Sequence, residues 1–131
     1  MPHKPPDPPR PTDAELEILT VLWSRGPSTV REVHEAIVKR RPAQYTTVLK
    51  MLQIMTEKGL VVRDESVRPQ IYRPRLSRVQ TQRRLLTDLL QRAFGGSVRE
   101  LVLQALATRK SSPEELANIE ELLDRLEGES K

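Results

Sequence analysis

Apolar residues between 43 and 60 recur with the spacing of one face of an α-helix. The spacing is i, i+3, i+4 and i+7, which predicts an amphipathic helix. Gly59 stands just past the last of these residues, where a left-handed residue ends a helix at least cost. We therefore predict that the stretch 43–60 holds a central helix that ends at Gly59, and we interpret the rest of the chain relative to it. The residues of the stripe are Val48, Met51, Leu52 and Met55.

Two shorter helices are predicted before this central helix, at about 12–23 and 30–39. Each begins with a capping box, in which two side chains satisfy backbone donors at the helix start. Gly26-Pro27 separates the two helices. The second helix should bury Val30, Val33, Ile37 and Val38. The capping pairs are Thr12 with Glu15 and Thr29 with Glu32.

After Gly59 the apolar period changes to two. Short strand-like runs at 60–64 and 70–74 predict a β-hairpin, or wing. The remainder predicts three further helices, at 78–94, 98–108 and 113–126, with capping pairs Ser77–Gln80, Ser97–Glu100 and Ser112–Glu115. Gly95-Gly96 and a linker at 109–112 separate these helices. The predicted fold class is mostly α with a small β wing.

This order of elements predicts a winged helix-turn-helix domain followed by an α-helical domain. We place the first at 12–76 and the second at 77–131. Residues 1–11 hold six of the eleven prolines, so we expect an extended or disordered tail. The tail is either inert or an arm that lays Lys4 and Arg10 on a DNA backbone. His3 has no neighbouring ligand type and receives no role.

Charge divides the chain into two halves. Residues 1–76 hold 13 Lys/Arg against 9 Asp/Glu, whereas residues 77–131 hold 9 of each, so the whole net charge of +4 lies in the first half. A basic half joined to a neutral half suggests a nucleic-acid-binding part and a part with another task. The partner we expect is double-stranded DNA.

Composition excludes several classes of protein. The chain has no cysteine, so disulfides, thiolate catalysis and cysteine-based metal sites are excluded. Two unpaired histidines, no Gly-rich phosphate loop and no metal-spaced carboxylates argue against an enzyme. No apolar run approaches the roughly 20 residues of a membrane helix. We expect a soluble cytoplasmic protein with no catalytic residue, metal or cofactor and no membrane insertion.

The face of the central helix opposite its apolar stripe begins with hydrogen-bonding side chains and one cation. A helix that reads the DNA major groove needs such residues near its N-terminus. The alternative is an ordinary solvated face. Arginines flank this helix in the preceding turn, where phosphates would pass, and in the wing. The candidate DNA-binding residues are Arg40, Arg41, Gln44, Tyr45, Thr46, Thr47, Lys50, Arg63, Arg68 and Arg73.

The last three helices carry more leucine than about fifty residues can bury in one core. Their apolar stripes therefore predict a partner surface, and a two-fold copy of the same chain is the commonest solution. The alternative is a monomer in which these helices fold back onto the winged-helix half. The candidate dimerisation residues are Leu86, Leu89, Leu90, Phe94, Leu101, Leu106, Leu116, Ile119, Leu122, Leu123 and Leu126.

In this order, the stretches ELEILTVLW, TVREVHEAI, YTTVLKMLQIMTEKGLV, YRP and GGSVRELV resemble the penicillinase and methicillin-resistance repressors (BlaI/MecI), with the copper-responsive CopY-like repressors as cousins. The resemblance covers about residues 12–126. It implies a homodimeric winged-helix repressor that binds pseudo-palindromic operators. It also implies release from DNA by cleavage, started by a membrane-bound sensor metalloprotease that responds to β-lactam antibiotics.

The chain departs from the family pattern at three places. The cysteines of the copper-responsive branch are missing, so copper sensing by that route is excluded. Ile54 stands where many relatives carry arginine. Staphylococcal members are cleaved at an Asn-Phe bond after Leu-Val-Leu, whereas here Leu101-Val102-Leu103 is followed by Gln104-Ala105. The candidate cleavage region is Leu103, Gln104 and Ala105.

Two other functions stay open at this point. A winged-helix module for protein–protein contact is one, although residues 31–75 hold ten Lys/Arg against five Asp/Glu. A regulator controlled by a small ligand is the other, although the chain has few aromatics and no evident polar pocket. Release from DNA by dilution or by such a ligand is the corresponding alternative to cleavage.

Overall fold

The computed structural model describes residues 8–108 and 112–129, apart from the side chains of Glu127 and Glu129. The tail residues His3 and Lys4 and most of the predicted 109–112 linker lie outside the described residues. Six helices and one hairpin follow in the order α1 (Asp13–Arg25), α2 (Val30–Val38), α3 (Tyr45–Lys58), β1 (Val61–Asp64), β2 (Ile71–Pro74), α4 (Arg78–Phe94), α5 (Val98–Thr108) and α6 (Pro113–Glu129). The predicted fold class, mostly α with a small β wing, is confirmed.

The helices begin at the predicted capping residues, whereas α1 and α6 extend to Arg25 and Glu129, beyond their predicted ends at 23 and 126. At α1 and α2, the hydroxyl of each N-cap threonine accepts a hydrogen bond from the backbone N–H of the glutamate three residues on. The carboxylate of that glutamate accepts a hydrogen bond from the backbone N–H of the threonine. The same reciprocal pair joins Ser77 and Gln80 at α4. Gly59 ends α3 in the left-handed conformation with φ 80°. A Cβ there would lie 2.9 Å from the end of the flexible Arg75 side chain, which can move aside, so the positive φ is what favours glycine.

The first three helices and the hairpin enclose one apolar core. Helix α3 contributes the stripe predicted for it, with Val48, Leu52 and Met55 buried and Met51 packed against them. The prediction that α2 buries Val38 is wrong, because Val38 is 46% exposed. It follows Ile37 by one residue, which turns it about 100° away from the core-facing direction. The remaining core residues are Ile18, Leu19, Val21, Leu22, Val30, Val33, Ile37, Leu60, Val61 and Tyr72.

The wing is fixed to the core through Tyr72. Strands β1 and β2 are antiparallel, and Arg63 lies opposite Tyr72 in their register. On its other side Tyr72 exchanges both backbone hydrogen bonds with Ser28, at 3.0 and 2.8 Å. Because the segment between α1 and α2 thus extends the hairpin, the base of the wing cannot move independently of the helices.

The chain divides into two compact units, residues 1–85 and 86–131. Within the first unit, the start of α4 is held against α1. The Trp23 indole N–H donates to the Leu76 carbonyl at 3.1 Å, and the Arg78 guanidinium lies 6.0 Å from the Trp23 ring centre. Arg84 donates to the carbonyl of Pro8 at 2.8 Å, and Pro8 is itself buried. Residues 8–11 form no helix or strand.

The second unit has no buried side chain among its described residues. It comprises the end of α4 with α5 and α6, and its apolar residues are half-buried or exposed. Its described residues therefore enclose no core of their own. No helix in the described part of the chain is both long and apolar enough to cross a membrane.

One ion pair joins the two ends of the helix-turn-helix. Lys58, at the end of α3, donates to the Glu15 carboxylate of α1 at 2.8 Å, and the Glu15 side chain is only 6% exposed. Burial alone would raise the pKa of Glu15. The hydrogen bonds from Lys58 and Thr12 outweigh burial, so the pKa of Glu15 lies below its ordinary value.

We expect Glu15→Gln to lower the free energy of unfolding at pH 7 by about 1–2 kcal/mol, since the buried partner is lost but Lys58 is partly solvated. A depressed folded-state pKa means that the pair stabilises the fold above the ordinary value of 4.5. This contribution is lost as pH falls through the lower, folded-state pKa. Urea titrations between pH 7 and pH 3 should therefore show the gap between wild type and variant closing in acid.

Glu35→Gln is the matched control. Glu35 pairs with Arg31 at 3.2 Å on the open surface of α2, so its loss should change the free energy of unfolding by less than about 0.5 kcal/mol. If wild type and Glu15→Gln have the same free energy of unfolding at pH 7, or if their difference is unchanged at pH 3, the Glu15–Lys58 pair does not stabilise the fold in this way.

Candidate nucleic-acid interface

Burial of one stripe of α3 leaves its opposite face directed to solvent. This outward face carries two threonine hydroxyls, one ammonium group, one amide, one aliphatic side chain and one carboxylate. Over its 14 residues the helix is about 21 Å long, a length that fits along a DNA major groove. The exposed residues of the outward face are Thr46, Thr47, Lys50, Gln53, Ile54 and Glu57.

The N-terminus of α3 differs from those of the other described helices. Its N-cap, Gln44, makes no side-chain capping bond, and its first turn contains no acidic residue. The other five helices each accept a backbone N–H on a serine or threonine hydroxyl. The positive end of the α3 dipole is therefore left without a capping side chain, as suits a helix end that meets a negatively charged partner.

His34 and the residues before α3 fix where this helix begins. The His34 Nε2 atom lies 2.9 Å from the Ala43 carbonyl oxygen, within hydrogen-bonding distance. The His34 ring meets the Tyr45 ring edge-on, with centroids 5.7 Å apart. These two contacts tie α2 to both sides of Gln44. His34 is thus a structural support of the candidate interface.

Arg41 is engaged within the protein. Its guanidinium donates to both oxygens of Glu17 on α1, with the shortest contact at 2.5 Å. The hydrogen bond from Arg41 holds the pKa of Glu17 below its ordinary value. Arg40, its neighbour, is exposed. Of the two arginines predicted to meet phosphates, Arg41 is thus already paired with a carboxylate of its own chain.

The three wing arginines occupy different environments. Arg63 shares the inner face of the hairpin with Tyr72, and its Nε atom is buried without a hydrogen-bond partner. Its terminal nitrogen donates to Glu65 at 2.6 Å. Arg68 and Arg73 are exposed. Positions that look equivalent in sequence thus divide into one arginine that braces the wing and two whose side chains face solvent.

The predicted dimerisation residues are all on α4, α5 or α6. Five of them are exposed, and six are half-buried within the second unit. The predicted cleavage region, Leu103 to Ala105, lies inside α5 and is exposed. The exposed set is Leu86, Leu89, Leu116, Leu122 and Leu126, and the half-buried set is Leu90, Phe94, Leu101, Leu106, Ile119 and Leu123.

Sequence reasoning omitted several residues of this interface. Gln53 and Ile54 stand three and four residues beyond Lys50, so helical spacing alone was enough to include them. Glu17 gave no signal, because its partner Arg41 lies 24 residues away. The contact between His34 and Ala43 could not be predicted from the sequence either, because it depends on how α2 packs against the segment before α3.

Comparison with known proteins gives a consistent result. The sequence model of a family described as penicillinase repressor matches residues 11–125. A protein named transcriptional regulator BlaI from Mycobacterium tuberculosis is 36% identical over 103 residues, which are 78% of this chain and 75% of the relative. A penicillinase repressor from Bacillus licheniformis is 24% identical over 123 residues, 94% of this chain and 96% of the relative.

A solved structure is also similar. It is the solution structure of the monomeric form of Bacillus licheniformis BlaI in complex with the blaP half-operator. The match covers 55% of this chain and 88% of that one, with 26% identity and a TM-score of 0.49.

We expect Glu17→Gln to increase affinity for duplex DNA of any sequence by about two- to tenfold at low salt. The substitution frees Arg41 for phosphate and removes a nearby negative charge, so the salt slope should steepen by about one. Fluorescence anisotropy with a random duplex between 50 and 200 mM salt measures both.

Glu35→Gln removes the same charge from an exposed pair with Arg31, and serves as the control for net charge alone. Equal gains in the two variants would show that Arg41 is not held back by Glu17.

Proposed function

Because this chain belongs to the penicillinase repressor family, we propose that it is a sequence-specific repressor that binds double-stranded operator DNA as a homodimer. The relatives named above are described as a transcriptional regulator and a penicillinase repressor, and neither name indicates an enzyme. The protein would act in the cytoplasm, where it meets chromosomal DNA.

The observation that carries the proposal is the outward face of α3. It combines groups that bind base edges with a helix start that has no capping side chain. In this proposal α3 enters the major groove, where Thr46, Thr47 and Lys50 approach base edges. Arg68 and Arg73 in the wing, with Arg40 in the turn, bind backbone phosphates, which position the protein without reading sequence.

The surface available for dimerisation is the apolar side of the second unit. Its leucines have no buried place in the unit itself, and a second copy of the same chain would cover them. A two-fold dimer presents two α3 helices to successive major grooves about 34 Å apart. The matching operator is pseudo-palindromic, with one half-site for each subunit.

We propose that the repressor is released by cleavage within α5 at about Leu103 to Ala105, with a membrane-bound sensor metalloprotease starting the response. The residues from Leu103 to Ala105 are exposed, and α5 has no residue buried within its own chain, so a protease can reach this segment. A cut there detaches α6 and removes part of the proposed dimer surface. Mass spectrometry of the repressor from cells treated with cell-wall antibiotics tests this step. A full-length repressor during induction of its target genes would exclude it.

Alanine substitutions should separate base reading from phosphate binding. With an operator selected from genomic fragments, Thr46→Ala, Thr47→Ala or Lys50→Ala should each cost about 1–3 kcal/mol and weaken the preference over random DNA. Arg68→Ala or Arg73→Ala should weaken both duplexes alike and reduce the salt slope by about one.

Arg125→Ala, an exposed arginine of α6 paired with Glu121, is the control for charge. Equal losses on operator and random DNA for all three α3 variants would remove the case for base reading.

The dimer is tested by charging its proposed surface. Leu122 and Leu126 are each 51% exposed, so glutamate at both positions should leave the subunit folded. We expect wild type to sediment as a dimer at micromolar concentration and the double variant as a monomer. Operator affinity should fall by roughly 10²–10⁴, the gain lost when two linked half-site contacts become independent.

Val38→Glu changes an apolar residue of 46% exposure in the first unit and should leave the dimer intact. A wild-type chain that sediments as a monomer at every concentration would exclude the proposed assembly.

A further inference from the structure

Ile54 is an apolar side chain on the outward face of α3, where its neighbours are polar. It is 37% exposed and is not among the half-buried residues that pack against the core. The adjacent apolar residues of the helix behave differently, since Met55 is fully buried and Met51 packs against the core. The exposed surface of Ile54 therefore serves no packing within the first unit.

The position of Ile54 along the helix determines which part of a bound DNA groove it would contact. Thr47, Lys50 and Ile54 stand at i, i+3 and i+7, a spacing that puts them on one line of the helix surface. At about 1.5 Å per residue, Ile54 lies about 6 Å beyond Lys50 along that line. If Thr47 and Lys50 approach base edges, as proposed above, Ile54 approaches the floor of the same groove one turn further on.

The major-groove floor offers one prominent apolar group. Guanine, cytosine and adenine present hydrogen-bond donors and acceptors there, whereas thymine adds a C5-methyl group. An aliphatic side chain cannot satisfy donors or acceptors, and burying it against them would leave them without partners. Contact with a thymine methyl has no such cost and removes apolar surface of both groups from water.

We infer that Ile54 is a specificity-determining residue that reads the C5-methyl of a thymine in each operator half-site. The inference rests on the proposed function and adds to it the identity of a base. The thymine lies on the C-terminal side of the positions read by Thr47 and Lys50. The neighbouring exposed amide of Gln53 is suited to the N6 and N7 atoms of an adenine beside it.

The experiment removes only the methyl group. The full-length protein first selects its preferred duplex from a pool of random sequence. Each thymine of the half-site is then replaced, one at a time, by deoxyuridine, which keeps base pairing and lacks the methyl. At one position the wild type should lose about three- to fivefold in affinity, the factor expected for one buried methyl group.

The Ile54→Ala variant should bind the thymine duplex more weakly than wild type does and should show no further loss with deoxyuridine at that position. Ile54→Val keeps branched apolar contact and should retain part of the sensitivity. Val67→Ala is the matched control, because Val67 is also 37% exposed but lies in the wing, and it should leave the deoxyuridine sensitivity unchanged.

The outcomes separate this inference from the proposed function. A selected duplex bound specifically, but with the same deoxyuridine losses in wild type and Ile54→Ala, overturns the role of Ile54 alone. No sequence preference at all overturns both. A change of oligomeric state in Ile54→Ala, followed by sedimentation, would assign the residue to a protein contact instead and overturns the inference as well.

Discussion

The packing of α3 through Val48, Leu52 and Met55 is the constraint on which the interface depends. A helix has one rotation at which three such residues can be buried together. Once they pack against α2 and β1, the direction of every other α3 side chain is decided. Packing of the core therefore sets the orientation of the outward face, and the polar residues on that face add little to the stability of the fold.

Contacts at both ends of α3 complete this arrangement. His34 fixes the backbone before the helix begins, and Lys58 joins its last turn to the buried Glu15 of α1. Tyr72 joins the wing to the segment between α1 and α2. A helix supported at both ends keeps its outward side chains in place, which would lower the entropy cost of the DNA recognition proposed for them.

Much of the fold could be predicted from sequence because its signals are local. Helical period, capping boxes at Thr12 and Thr29, and Gly59 each act within one or two turns, and the structure has these elements where they were predicted. Val38 was misplaced because apolar character at a helix end does not tell which way the residue points. The partners of Arg41 and Arg63 could not be predicted, since they depend on which elements pack together. Whether the candidate residues bind DNA or a second subunit stays a prediction.

The absence of buried side chains among the described residues of the second unit affects how operator occupancy depends on the concentration of the protein. With a second copy as the proposed cover, each subunit completes the core of the other, so folding of this unit and association become one equilibrium. Operator occupancy then falls faster than in proportion when synthesis slows. Expression of the gene that such a protein controls would therefore change steeply, in the manner of a threshold, when the number of intact chains changes modestly.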